Sequence, residues 1–397
     1  MLLAAIHLYR KAYSGIPRPI WWLSLVILVN RAGTMVIPFL TVYLTSRGYS
    51  LREAGLVMAT FGLGALLGGY LGGQLTDRFG SFRVQLVSLF FNGVLFIILG
   101  QMNGLWSIAA CVFALSTIGE SFRPANAAAI AAYSGEGNRT RCYSLNRLAI
   151  NLGWSVGPAV GGLLASINYK LLFWVDGGTC IVAACLLFWF LRAPSREDRL
   201  AAEMVETRTK ASALRDTTFL RAMFFVMLIG FCFFQLFSII PVYYKEQVHL
   251  SEFAIGWVLA SNGLVIALVE MVLIYYLENR RTAIVYMTIG TLLIGVSFLA
   301  LSIGPLPLFV LASMLFVTFG EMLLFPFTNQ FWVSRTNAQN RGRYAALYTM
   351  SFAVAHVLAP LAGSAIALRW GFAALFRIDF LLCTVAAFGF LWMRKKM

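Results

Sequence analysis

Twelve long apolar stretches follow one another along the chain, separated mostly by short polar segments. Each stretch is long enough for an α-helix to cross about 30 Å of hydrocarbon. Segments of about ten residues with alternating polarity, typical of membrane barrel strands, are not found. The pattern therefore predicts twelve transmembrane helices: Trp21–Ser46, Arg52–Gln74, Phe82–Gln101, Leu105–Tyr133, Cys142–Ser166, Leu171–Leu191, Phe219–Lys245, Ser251–Leu277, Ala283–Ser302, Leu306–Trp332, Gly342–Leu368 and Gly371–Met393.

Composition supports a membrane protein over a soluble one. Hydrophobic residues make up 60% of the chain and charged residues 12%, and the mean hydropathy is +0.79. Soluble globular domains do not have this balance. The fold class predicted is an all-α integral membrane protein with almost no soluble domain.

The basic residues behind the net charge of +15 are concentrated on one side of the predicted membrane. The chain ends and the even-numbered connections hold 22 of the 31 Lys and Arg residues, and the odd-numbered connections hold 5. Because positive charge stays on the cytoplasmic side, both termini are predicted to be cytoplasmic. The excess of basic residues thus indicates the membrane topology, and no nucleic-acid partner is expected. The short loops and the lack of a targeting sequence favour a bacterial inner membrane.

The second half of the chain repeats features of the first about two hundred positions later. The matched positions are Ser50 and Ser251, Gly55 and Gly256, Gly62 and Gly263, Asp77 and Glu278, Gly119-Glu120 and Gly320-Glu321, and Pro158 and Pro360. A duplicated membrane protein with matched intramembrane acids is typical of a transporter whose halves rock about a central site. The sequence predicts a six-helix bundle at 1–191, a cytoplasmic linker at 192–218 and a second bundle at 219–397. Within the linker, Arg199–Lys210 is either an amphipathic helix on the membrane surface or a solvated tether.

The turn between the second and third predicted helices carries a candidate gating loop of Gly73, Asp77, Arg78 and Gly80. Its glycines allow close approach and turning, and Asp77 is expected to bond amides at a neighbouring helix N-terminus. The string Gly-Gln-Leu-Thr-Asp-Arg-Phe-Gly resembles the G-x-L-x-D-R-x-G signature of the major facilitator superfamily. That resemblance implies a fold of two pseudo-symmetric six-helix bundles and alternating access to a central cavity.

The fifth predicted helix contains small residues at intervals of four and an internal proline: Gly153, Gly157, Pro158, Gly161 and Gly162. Such a stripe permits close helix packing, and the proline permits a bend. The string resembles the G-x-x-x-G-P-x-x-G-G signature of the proton-coupled drug antiporter branch of that superfamily, which implies export. The branch also has an arginine four residues before a glycine in its fourth helix, where this chain has Leu115.

Ionisable groups inside predicted helices are costly and are therefore functional candidates. Glu120 and Glu321 are the leading proton-coupling candidates. Glu120 shares a helix face with Arg123, so a permanent ion pair is an equally open interpretation. The resemblance implies that helices one, four, seven and ten line the cavity. The predicted cavity residues are Asn30, Arg31, Arg123, Arg147, Asn151, Gln235, Phe237, Glu270 and Asn329. Asp176 and Asp379 are expected to be structural pairs or to be exposed at an interface.

The sequence leaves two transport hypotheses open. The first is proton-coupled efflux of small amphipathic or hydrophobic compounds, and the second is proton-driven import of zwitterionic solutes such as short peptides. An enzyme is disfavoured because the three His residues are far apart and no H-E-x-x-H or G-x-S-x-G string is present. We expect a monomer in the lipid bilayer that binds small molecules and protons, with no metal and no cofactor. A passive facilitator stays open if no buried acid takes up protons.

Overall fold

The computed structural model describes residues 15–134, 139–191, 213–277, 280–335 and 341–394. Twelve stretches within them are long and apolar enough to span a membrane, which confirms the predicted number. The Arg199–Lys210 segment and the acid Glu278 lie outside the described residues. Spans one to twelve are formed by the helices Arg18–Ala32 with Val36–Ser46, Leu51–Phe79, Ser81–Leu99, Leu105–Glu120 with Phe122–Tyr133, Arg139–Ile167, Lys170–Phe190, Thr217–Ser238 with Ile240–Glu246, Glu252–Leu277, Ala283–Ile303, Pro307–Ser334, Arg341–Trp370 and Phe372–Arg394.

Spans one, four and seven are each interrupted, at Gly33–Met35, Ser121 and Ile239. Prolines accompany the interruptions: Pro124 follows the break in span four and Pro241 follows the break in span seven. A proline lacks the N–H that would bond the carbonyl four residues earlier, which weakens the helix at that point. Non-helical backbone at membrane depth is tolerated where it is buried in protein or lines a cavity. The interruptions therefore place irregular backbone beside the cavity described below.

We call spans one to six the first half and spans seven to twelve the second half. In each half, one of the repeat-related glycines packs against the repeat-related proline of the other half. A side chain at Gly55 would begin 2.6 Å from the Pro360 carbonyl oxygen, and one at Gly256 would begin even closer to the Pro158 carbonyl oxygen. Spans two and eleven, and spans five and eight, thus make symmetry-related contacts across the two halves.

The two contacts differ in how far they extend. We call the face where Leu191 and Ala213 lie the linker face. Spans five and eight stay together from Gly256 through Gly263 to an ion pair between Arg147 and Glu270 nearer the linker face. Spans two and eleven separate: Gly69 lies two turns beyond Gly62 on the same helix side, and no atom of another described element lies within 4 Å of its Cβ position. The halves are therefore closed towards the opposite face and apart towards the linker face along spans two and eleven.

A second set of contacts fixes the ends of the second-half helices at the linker face. The Asp216 carboxylate caps span seven by accepting from the Phe219 amide at 3.0 Å. It also accepts from Arg335 Nε at 2.8 Å and from the Tyr344 hydroxyl at 3.1 Å. Burial opposes ionisation of Asp216, but these hydrogen bonds outweigh it and hold the pKa of the carboxyl below its ordinary value. Asp216 therefore ties together the linker-side ends of spans seven, ten and eleven.

Candidate functional site

A cavity of about 390 Å³ lies between the two halves. Its wall includes side chains from spans one, four, seven and ten, as expected, and from spans two, three, five, six, eight and eleven as well. Seven residues predicted from the sequence line it: Asn30, Arg31, Glu120, Arg123, Asn151, Phe237 and Glu321. A cavity of this size is of the order that holds a drug-sized ligand.

Four predicted cavity residues lie elsewhere. Gln235 is fully buried, and its amide donates to the Ala359 carbonyl at 3.2 Å, so it faces span eleven. Arg147 and Glu270 are ion-paired to each other between spans five and eight. Asn329 is exposed and accepts from the Trp332 indole at 3.0 Å. For Gln235, Arg147 and Glu270 the partner lies in another span and could not be read from the sequence.

The interruption of span one creates the polar end of the cavity. The helix Val36–Ser46 begins with amides that have no helical acceptor, as the first amides of any helix do. The buried Asp176 Oδ2, from span six, accepts from Met35 N at 3.1 Å and from Val36 N at 3.0 Å. The expected structural role of Asp176 is thus observed, and its possible exposure at an interface is not. Asp379 is also fully buried rather than interfacial.

Arg31 and Asn30 lie on the helical turn just before this interruption. The Asn30 amide donates to Cys180 Sγ at 3.3 Å. The Arg31 side chain has no hydrogen bond or ion pair with any residue in the described ranges, although Glu120, Arg123 and Asp176 act on it electrostatically. The Asn92 carbonyl oxygen, on the same wall, is buried without a protein partner in those ranges. Among the described residues, this end of the cavity therefore presents an unpaired cation, Arg31, and an unpaired acceptor, the Asn92 side-chain oxygen.

The two repeat-related acids have different surroundings. Glu120 Oε2 lies 2.7 Å from Arg123 Nε, one helical turn away, which agrees with the ion-pair interpretation. Glu321 is buried, and its partner is the Asn262 side-chain amide of span eight. The same amide donates to Thr318 Oγ1 at 3.0 Å. Glu321 thus lines the cavity hydrogen-bonded to an amide, and the Arg147–Glu270 pair acts on it only electrostatically.

Aromatic side chains form the second-half wall of the cavity. Phe233 lies edge to face with Phe237 and with Phe325, at centroid distances of 5.7 and 5.0 Å. Phe234 stacks on His356 at 4.1 Å, and Phe237 approaches Trp154 of the first half at 5.4 Å. Of these aromatic residues only Phe237 was predicted from the sequence to line the cavity, and Trp154, Asn92 and Asn262 were not identified. A search for amides in apolar spans would have found both asparagines.

The glycine motif of span five contacts two different neighbours. A side chain at Gly153 would meet the Arg31 Cβ, and one at Gly157 would begin 2.7 Å from the Thr34 carbonyl. Gly162 and Pro158 instead face Gly256 of span eight. One side of the motif therefore holds the interrupted part of span one in place, and the other side joins the two halves.

The candidate gating loop adopts a tight turn. Gly80 has φ of 85°, in the left-handed region that glycine adopts without strain, and its amide donates to the Thr76 carbonyl at 2.8 Å. Asp77 and Arg78 are exposed, and Gly73 has no atom within 4 Å of a Cβ position. The expected bond from Asp77 to a helix N-terminus is not formed among the described residues, because the halves are apart on this side.

The proteins similar to this chain include a cation antiporter, a multidrug resistance protein and a peptide transporter of solved structure. The chain is 25% identical over 406 residues to a Na⁺, Li⁺, K⁺/H⁺ antiporter of Planococcus maritimus, covering 92% of this chain and 93% of that protein. It is 27% identical to the multidrug resistance protein MdtG of Yersinia enterocolitica, covering 89% and 87%. A crystal structure of a peptide transporter with sulfate superposes with a TM-score of 0.80 at 18% identity, covering 96% and 95%, which shows a shared fold.

The family model of the Major Facilitator Superfamily matches residues 23–359. That range includes the gating loop, the span-five motif and both repeat-related acids. Together with the twelve spans and the central cavity, the match establishes a multi-pass membrane transporter. The chain belongs to the Major Facilitator Superfamily.

Proposed function

We propose that the protein is a proton-coupled exporter of small amphipathic or hydrophobic compounds that works by alternating access. The observation that carries the proposal is Glu321, a buried carboxyl on the cavity wall whose partner is an amide. An acid without a basic partner is free to exchange its proton as the cavity opens to one side and then the other. An acid held in an ion pair must first lose that pair, so Glu120 ranks second.

The aromatic wall suits apolar ring compounds. Phe233, Phe234 and Phe237 offer large apolar surfaces that tolerate many ring shapes. The drug-resistance name of the MdtG relative and the antiporter name of the Planococcus relative favour export coupled to a cation gradient. We further propose that the linker face is cytoplasmic, that the membrane is the bacterial inner membrane, and that the 1–191 and 219–397 halves move as units.

The mechanism follows from the contacts between the halves. Spans five and eight pack continuously, so they form an axis about which the halves rock. Spans two and eleven close and open the linker-side entrance, and the gating loop lies at the end of span two. With the linker face cytoplasmic, this conformation admits a compound from the cytoplasm. Proton binding to Glu321 from the opposite side would then release the compound and reset the cavity.

Transport in inverted membrane vesicles tests the proposal. An inside-acid gradient should drive uptake of an amphipathic dye, and Glu321→Gln should abolish the gradient-driven part, with Glu120→Gln having a smaller effect. Asp379→Asn is the matched control, because Asp379 is as buried but does not line the cavity. Full gradient-driven uptake in Glu321→Gln would remove Glu321 from the coupling role.

Proton-driven import of zwitterionic solutes is the second candidate, and Arg31 opposite Glu321 in the cavity favours it. The same vesicles separate the candidates by direction. Uptake of a dipeptide into right-side-out vesicles with an outside-acid gradient, together with no uptake of the dye in inverted vesicles, would establish import.

A further inference from the structure

The unpaired cation of the cavity has the chemistry of an anion-binding group. A guanidinium carries five N–H donors in a planar fork that matches the two oxygens of a carboxylate. The Arg31 donors find no acceptor among the residues that the structure describes, and the side chain lines the cavity. A buried or half-buried donor of this kind is satisfied by solvent or by a ligand. Arg31 is therefore available to a ligand that enters the cavity.

The two acids nearest to Arg31 are already committed to other groups. Glu120 is ion-paired with Arg123 at 2.7 Å, and Asp176 Oδ2 accepts the amides of Met35 and Val36. Burial and the nearby Arg123 disfavour the charge of Arg31, and the charges of Glu120 and Asp176 compensate only in part. Neither acid hydrogen-bonds Arg31 among the described residues, so an anionic group of a ligand would supply the missing counter-charge.

The backbone and Cβ of Arg31 are fixed by packing. A side chain at Gly153 would meet the Arg31 Cβ, and the Arg31 carbonyl lies 3.2 Å from where a side chain at Gly157 would begin. The capped helix start at Val36 holds the other side of the interruption. These contacts set where the Arg31 side chain enters the cavity, while its guanidinium stays available to a ligand.

An acid and a set of aromatic rings belong to the same cavity. Glu321 and Asn262 come from the second half, and Phe233 and Phe237 belong to the aromatic wall. The cavity therefore offers a guanidinium on the first half, a carboxyl on the second half and apolar rings beside them. The complementary ligand carries an anionic group, a cationic group and a flat apolar body.

We propose that the preferred substrates are amphoteric aromatic compounds. A carboxylate on the ligand binds the Arg31 guanidinium, a protonated amine binds beside Glu321, and the ring system packs on Phe233 and Phe237. Displacement of the amine by a proton at Glu321 then provides the exchange step. The inference rests on the proposed function for its account of transport, but the binding preference is independent of transport direction.

Four probes on one ring scaffold test the preference. They are 4′-(aminomethyl)biphenyl-4-carboxylic acid, its methyl ester, its N-acetyl derivative and the doubly capped compound. Binding is measured by calorimetry with the full chain in lipid nanodiscs at pH 7, without a gradient. A charge-assisted hydrogen-bonded pair should make the amphoteric probe bind about ten- to a hundredfold more tightly than the ester. Equal affinity of these two probes would overturn the proposal.

Variants assign the preference to Arg31. Arg31→Gln should bring the ratio of amphoteric to ester affinity close to one, and Arg31→Lys should restore part of it, since lysine keeps the charge and loses the fork. Arg377→Gln is the control, because Arg377 is exposed and does not line the cavity, and its ratio should equal that of the wild type. An unchanged ratio in Arg31→Gln would refute the assignment. The doubly capped probe and thermal unfolding report whether each variant is folded.

The binding and transport assays test different claims and can give opposite outcomes. If the probes show no preference for the amphoteric compound but inverted vesicles take up the dye, the substrate class is wrong and export stands. If the preference is present but no gradient drives the dye, export is wrong and the anion-binding role of Arg31 stands.

Discussion

Truncation of Asp176 tests whether the interruption of span one depends on a side chain from span six. Asp176→Ala removes the acceptor of two buried amides, those of Met35 and Val36, at 3.1 and 3.0 Å. Loss of a helix-capping side chain costs about 0.5–2 kcal/mol, and a buried donor left without its acceptor costs about 1–3 kcal/mol. We therefore expect a loss of about 2–4 kcal/mol in the local free energy of opening.

The chain supplies a matched control for this experiment. Asp379 is the counterpart of Asp176 in span twelve, and both are almost completely buried, with exposures of 0% and 1%. No backbone amide bonds either carboxyl oxygen of Asp379 in the described ranges, where the neighbouring donor is the weak Cys232 thiol. Asp379→Ala deletes the same atoms at the same burial without leaving a backbone amide unpaired, so we expect a smaller loss than in Asp176→Ala, or none.

Hydrogen exchange followed by mass spectrometry measures the effect at the site. For a peptide covering Gly33 to Leu40, 2–4 kcal/mol corresponds to exchange faster by about 30-fold to several hundredfold, at about 1.4 kcal/mol per factor of ten. Asp176→Asn, which keeps one neutral acceptor, should give an intermediate rate. Equal exchange in the wild type and Asp176→Ala, or a greater loss of thermal stability in Asp379→Ala, would refute the capping argument.

Three further predictions concern the packing and the linker face. Gly263→Ala places a Cβ 2.8 Å from Ser155 N and should cost about 1–3 kcal/mol in stability and impair transport, whereas Gly178→Ala, with nothing within 4 Å, should be silent in both assays. The free energy of unfolding should decline as the pH falls below about 4. Because folding lowers the pKa of Asp216, its carboxylate stabilises the fold fully above the ordinary aspartate pKa and progressively less below it. Asp216→Asn should reduce that decline. Asp77→Asn should slow transport without altering stability, since the exposed carboxylate forms no hydrogen bond or ion pair with another described residue; unaltered kinetics would limit this loop to a topological role.

The span-five motif shows which packing contacts a sequence pattern can predict and which it cannot. The spacing of its glycines predicted close packing, and the repeat predicted that Pro158 and Pro360 are equivalent. Neither could indicate which helix each glycine meets, because helix partners depend on the arrangement of all twelve spans. The structure shows that Gly153 and Gly157 face span one while Gly162 faces span eight.

The repeat-related acids show the same limit at the candidate site. Their identical spacing in the two halves marked Glu120 and Glu321 as functional candidates. The i,i+3 neighbour of Glu120 is readable from the sequence, and the ion pair with Arg123 was anticipated. The Asn262 partner of Glu321 lies 59 residues away in another span, so no local pattern could predict it.

The sequence by itself determined the twelve spans, the duplication and the candidate family, because hydrophobic length, charge placement and motif spacing are local properties of the chain. Only the tertiary structure decided which polar groups are paired and which are free. Asp176 accepts from two amides of span one, Glu270 is ion-paired with Arg147, and the Arg31 donors have no acceptor among the residues that the structure describes. The physical reason is that hydrogen bonds act over about 3 Å, so the state of a buried polar group depends on neighbours that only folding brings within reach.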